Sequence, residues 1–311
     1  MPSVLTTRPT RWFAQCVLLL FVTLPFYAAG QLPAGLGHFI LGNNGEPIEV
    51  FSYKPPTYTD GPLIVMIHGS DRNAEDHRNW AVNMAERFGA IVVAPLFDKT
   101  RFNDERYKRT GGVLLEGKLQ PRETWTFNIL LRLVAEVRAR EEKPQLPYYI
   151  IGHSGGGQLV VRMALFMPGE AKRFVACNPG SYPFPHPTVR FPYGLGGLPA
   201  ELTDDAALRR FYAQPLTLFL GTGDVWQLAS DYFDLSPDAM KQGPVRLARG
   251  QNFFETSRQN AATHGWPFHW RIVETPRIAH DAQRMFAARE LAEAFFGPEP
   301  SAEKVIPAAR W

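Results

Sequence analysis

"YYIIGHSGGGQLV" occupies residues 148–160 and decides how the rest of the chain is read. An apolar, partly β-branched run stops at Gly152, passes His153 and Ser154, and meets Gly155, Gly156 and Gly157 before apolar residues resume. The run has the length of a strand, and "GQLVVRMALFM" after it has a helical pattern. A hydroxyl placed at such a strand–turn–helix junction, with glycine two positions to either side, fits G-x-S-x-G. That pentad arises easily by chance in a chain with 26 glycines, so its setting carries the weight. The steric reason is specific. A serine held in a strained conformation at a tight turn leaves no room for side chains at 152 and 156. The Gly155 N–H, at the start of the helix, then faces a developing oxyanion.

Working outward, short apolar runs alternate with amphipathic stretches. Residues 62–69, 90–97, 147–154, 173–180, 215–224 and 269–276 read as strands, with nearly continuous apolar character that suits burial on both faces. Residues 74–89, 123–142 and 282–297 read as helices; in the first, Trp80, Met84 and Phe88 recur every four positions and Gly89 supplies a stop. The alternation predicts a doubly wound, mostly parallel α/β sheet with a short flap insertion. Two connections are long: 98–120, and 181–214 with its prolines and aromatics, which reads as the flap.

The first 30 residues stand apart. Arg8 and Arg11 precede "WFAQCVLLLFVTLPFYAAG", and no acid occurs among them. A basic start, an apolar middle and small residues at the end form a secretory signal pattern, with a membrane anchor as the competing reading. The expected organisation is therefore a signal over 1–30 and a single domain over 31–311, secreted or periplasmic, with no stable membrane insertion after signal removal. Processing would lower the formal charge from +3 to +1, because two arginines leave and no acid does. Of two cysteines only Cys177 would remain, which excludes an internal disulfide. Near-neutral charge gives no electrostatic footprint for nucleic acid. No H-x-x-x-H, H-E-x-x-H or G-x-x-x-x-G-K-[ST] spacing occurs, so no metal, cofactor or nucleotide site is expected.

A serine hydroxyl needs a base. Among the eight histidines, His280 lies just after the last strand and just before the final helix, where a loop returns over the carboxyl edge of the sheet. His153 is next to the serine and is expected to point away. The base needs an acid to fix its tautomer, and Asp224 ends the run "LTLFLGTGD". The order Ser154, Asp224, His280 follows. A second oxyanion donor is expected from Ser70 or Asp71 in "VMIHGSDRNA", beside Gly155, with His68 bracing that loop. Cys177, in "RFVACNPG", reads as a small core residue.

With "HGS" followed by "DRNAEDH", the elbow "GHSGGG", and "GTGD" followed by "IAHD", the chain resembles the α/β-hydrolases, and among them the polyhydroxybutyrate-depolymerase-like esterases. The resemblance spans about residues 62–295. Where that group usually has cysteine after His-Gly, this chain has Ser70. It implies a serine hydrolase acting on carboxylic esters, small or oligomeric. A peptidase of the prolyl-oligopeptidase type, and a binding protein that kept the fold without the chemistry, are the alternatives. Tyr193 in the flap and Trp226 after the acid are expected to wall the substrate pocket. No cluster of Lys or Arg is evident there, so neutral short or medium acyl esters are the expected substrates.

Overall fold

The computed structural model describes residues 30–42, 46–227 and 232–297, so the expected signal at 1–30 falls almost wholly outside the described residues. Eight strands form one sheet: β1 (Gly35–Leu41), β2 (Ile48–Lys54), β3 (Leu63–Ile67), β4 (Ile91–Pro95), β5 (Tyr148–His153), β6 (Arg173–Cys177), β7 (Leu216–Gly221) and β8 (Arg271–Thr275). Their spatial order is β1-β2-β4-β3-β5-β6-β7-β8. Pairings are parallel from β4 onward, while β2 runs antiparallel to both β1 and β4.

All six expected strands are present. The structure adds β1 and β2, a pair that the sequence reading passed over although Asn43-Asn44-Gly45 between "GHFIL" and "PIEVFSYK" is a turn signal.

The strands divide their side chains by alternation. Leu63, Val65 and Ile67 of β3 join one core with Ile150, Phe174 and Leu218, whereas Ile64 and Met66 join the other with Ile151, Val175 and Phe219. Each such fully buried side chain contributes roughly 1.5–3 kcal/mol relative to exposure. Continuous apolar strands thus demand a layer of helices on both sides.

The first core holds α3 (Phe127–Arg140), α4 (Gly155–Phe166), α5 (Asp205–Tyr212) and α7 (Arg246–Thr263). The second holds α1 (Ala74–Trp80), α2 (Val82–Phe88), α8 (Ala282–Ala287) and α9 (Leu291–Phe296). A short α6 (Pro237–Met240) lies in the connection after β7. Two expected helices are each divided. The 74–89 stretch tightens at Ala81, and 282–297 breaks where Ala288 takes extended angles (φ −64°, ψ 144°). Among the described residues no helix is long and apolar enough to cross a membrane.

The 181–214 segment is irregular at first and then helical through α5. Tyr182, Phe184 and Phe191 are buried: Tyr182 stacks on Phe253 at 4.7 Å, and Phe191 meets Phe166 edge-on at 5.5 Å. These aromatics pin the segment to the first core. None of the three borders the cavity that contains Ser154.

Candidate active site

Ser154 sits between β5 and α4 with φ 55° and ψ −116°, angles that a residue with a Cβ seldom adopts. Its N–H is held by the Cys177 carbonyl at 2.9 Å, and its carbonyl accepts from the Gln158 N–H at 3.0 Å. The flanking glycines are required by close approach. A Cβ on Gly152 would stand 2.4 Å from the Gly156 carbonyl, and one on Gly156 would stand 2.3 Å from the Ile67 oxygen. The turn therefore docks directly against the end of β3, as its sequence requires.

The acid and base arrive from the neighbouring strand ends. Asp224, almost wholly buried three residues past β7, accepts from His280 Nδ1 at 2.7 Å and lies 3.4 Å from Arg246 Nη1. Backbone packing makes that meeting possible. The Gly223 N–H donates to the Ile278 carbonyl at 2.9 Å, and a Cβ on Gly221 would collide with the same oxygen at 2.3 Å. Asn178 at the end of β6 ties the two loops together, accepting from the Gly221 N–H at 2.8 Å and donating to the Ala279 carbonyl at 3.3 Å.

Ser154 and His280 line one cavity of about 290 Å³ with Gly69, Ser70, Asp71 and His153.

On the other side of Ser154, a methyl group placed on Gly155 would sit 3.4 Å from the Ser70 nitrogen, so the two expected N–H donors are neighbours. The Ser70 loop is fixed from below by His68. Its Nε2 accepts from the Phe97 N–H at 3.0 Å, which leaves the proton on Nδ1 to point at the Gly69 carbonyl at 2.9 Å. Tyr107, buried, reaches the His68 carbonyl at 2.5 Å. It is carried there by one wide helical turn, Glu105–Arg109, in the long 98–120 connection.

A poly(aspartic acid) hydrolase from Sphingomonas sp. KT-1 is 34% identical to this chain, with a TM-score of 0.76 over 82% of this chain and 96% of its own. The poly(3-hydroxybutyrate) depolymerase LpqC from Bordetella parapertussis is 32% identical, with a TM-score of 0.77 over 87% and 93%. This chain belongs to the α/β-hydrolase superfamily, among the polyhydroxybutyrate-depolymerase-like hydrolases. The siderophore hydrolase EstB from Aspergillus nidulans, at 18% identity and a TM-score of 0.51 over 88% of this chain and 100% of its own, shares the fold. Scans against protein-family models and against curated proteins find no match.

Two expectations about this α/β-hydrolase need correction. His153 does not point away from the site. Its ring lies 4.6 Å from that of His280, and it lines the same cavity. Its other ring neighbours are His77 of α1 at 6.5 Å and Phe286 of α8 at 6.3 Å, both distant in sequence.

Of the two expected walls, Trp226 is the one displaced. Trp226 is 65% exposed and does not border the serine's cavity. Tyr193 borders a second cavity, hydrogen-bonds Asp234, and has Lys108 and Arg109 for company. The basic groups come from the 98–120 connection, far from the flap in sequence, which is why the flap alone gave no sign of them. Sequence reasoning also passed over Tyr232, which lines both cavities.

Three imidazoles under the site are held neutral by burial. His68 is pushed down to about 3 and His77 to about 4, and His153 is also driven well below its ordinary value. The unfolded imidazole titrates near 6.5, so between that pH and the folded values the unfolded chain binds more protons. The stability these residues contribute is complete above about pH 6.5 and is lost as pH falls toward 4. Urea unfolding should therefore show a midpoint that declines steadily from neutral pH to about pH 4. The decline should be shallower in His77→Phe. An acid-independent midpoint would contradict buried, neutral imidazoles.

Proposed function

We propose that this ester hydrolase works through an acyl-enzyme on Ser154, with His280 as general base and Asp224 as the group that orients it. The observation that carries the reading is a serine with φ 55° at a strand–helix turn, sharing a cavity with a histidine whose Nδ1 is 2.7 Å from a buried carboxylate. That contact places the neutral histidine's proton on Nδ1, so Nε2 carries the lone pair that takes the serine proton. Oγ attacks the ester carbonyl, and the resulting oxyanion is met by the N–H groups of Gly155 and Ser70. His280 then returns the proton to the departing alcohol. Water, deprotonated by the same imidazole, releases the acid and restores Ser154.

Small-molecule and oligomeric esters are both within this reading. Export to the periplasm or medium belongs to the same proposal and rests on residues 1–30 alone. The peptidase alternative gains no observation from the site. The carboxylate–imidazole contact is the kind a catalytic site needs, and it weighs against a protein that only binds.

A panel of p-nitrophenyl esters and peptide p-nitroanilides tests the activity. Esters should exceed anilides in kcat/KM by roughly a hundredfold or more, because an amine leaves only with better-placed protonation. Faster anilide cleavage would favour the peptidase.

A further inference from the structure

We propose that the second cavity, walled by Lys108 and Arg109, holds a free carboxylate carried by the acyl chain of the ester bound at Ser154. The proposal rests on Ser154 being the site of acyl transfer. The cavity has a volume of about 260 Å³, and Gln158, Tyr193, Tyr232 and Asp234 are among its other lining residues.

It adjoins the serine's cavity in three ways. Tyr232 is common to both. Lys108 Nζ lies 3.4 Å from Ser70 Oγ, and a methyl on Gly155 would stand 3.5 Å from Lys108 Cβ. The Gln158 N–H donates to the Ser154 carbonyl. His280, where the alcohol departs, borders the first cavity and not the second. The second cavity therefore lies where the acyl chain extends past the oxyanion donors.

Among the described residues its charge is unbalanced. Behind the wall, the buried Arg162 guanidinium donates to the carbonyls of Arg109, Gln158 (3.1 Å) and Pro192 (3.1 Å), all neutral acceptors. Arg249 donates to the carbonyls of Gly180 (2.7 Å) and Asp234 (2.8 Å), again neutral. Burial lowers Arg162 to about 9 and Arg249 to about 10, which leaves both protonated at neutral pH. Lys108 and Arg109 on the wall, with Arg162 and Arg249 behind it, make four cations in or behind the lining.

Among the described residues two carboxylates answer them. Asp104 pairs with Lys108 at 3.0 Å from the half-exposed outer side. Asp234 accepts from Tyr193 Oη and the Ser236 N–H (3.0 Å). Cations in excess beside an open, partly desolvated cavity attract an anion, and guanidinium and ammonium groups suit a carboxylate.

The test compares p-nitrophenyl half-esters of adipate and suberate, each bearing a free carboxylate, with the neutral hexanoate and octanoate esters. All rates are corrected for spontaneous hydrolysis. At low ionic strength the charged member of at least one pair should be favoured in kcat/KM by roughly tenfold to a hundredfold, the scale of a hydrogen bond to a charged group. Salt should shrink that ratio. Lys108→Met combined with Arg109→Met should bring it to about one. Because the readout is a ratio within one variant, a loss common to both esters leaves it unmoved.

Neutral esters favoured in both pairs, or a preference that survives the double substitution, would overturn the carboxylate site while leaving the Ser154 reading intact. Turnover of these esters by Ser154→Ala would overturn both.

Discussion

Ser154→Ala should lower kcat by about a million-fold, to the small residue of catalysis that oxyanion donors and binding alone provide. Serine and histidine act as a unit, because the hydroxyl is useless without the base and the base has nothing else to activate. The magnitude follows from that interdependence rather than from one lost contact. The substitution removes a single oxygen from a cavity wall and leaves the φ of 55° for alanine to adopt, with the 2.9 Å bond from the residue 154 N–H to the Cys177 carbonyl still available. Thermal unfolding should therefore move little. Steady-state assays against a short-chain ester, with circular dichroism of both proteins, check the pair of statements. Activity within tenfold of the parent would remove Ser154 from the mechanism.

Asp224→Asn should cost about ten-thousandfold in kcat. An amide that turns its N–H₂ toward His280 Nδ1 forces the ring proton to Nε2, the nitrogen that must be bare to accept from serine. The same change withdraws a buried negative charge 3.4 Å from Arg246, so stability has to be followed alongside the rate. The expected pattern is a collapse of kcat at temperatures where the variant is fully folded. A variant that keeps its rate would show that another group orients His280.

The sheet was legible because parallel strands buried on both faces leave unbroken apolar runs, and six of them stand clear of polar neighbours. β1 and β2 were not, because one-sided burial makes an edge pair alternate: in β1 the burial of Phe39 and Leu41 is separated by exposed Ile40. Ser154 and Asp224 could be singled out because each lies just past a strand end with glycines close by, and His280 because it follows the last strand. The structure gives those glycines their reason. Gly156 is forced by the Ile67 carbonyl, and Gly221 by the Ile278 carbonyl.

The lining of the site was harder to read. Lys108 and Tyr107 reach Ser70 and His68 from 38 and 39 residues away through a connection whose composition suggested only length. Aromatics at 182, 184 and 191 carried the same composition signal as a substrate wall, and only packing against Phe253 and Phe166 shows that they are core. His153 was misjudged because a side chain beside a strained turn has its direction set by neighbours distant in sequence.

The acyl-enzyme can be caught directly. Mixing the protein with a p-nitrophenyl ester, quenching in acid during turnover and digesting with trypsin should place one acyl group on the peptide that runs from Glu141 to Arg162 and contains Ser154. Fragmentation should put the added mass on Ser154 itself, and the adduct should be missing from Ser154→Ala. Turnover without any adduct on that peptide, or an acyl group found on Cys177 instead, would contradict the account.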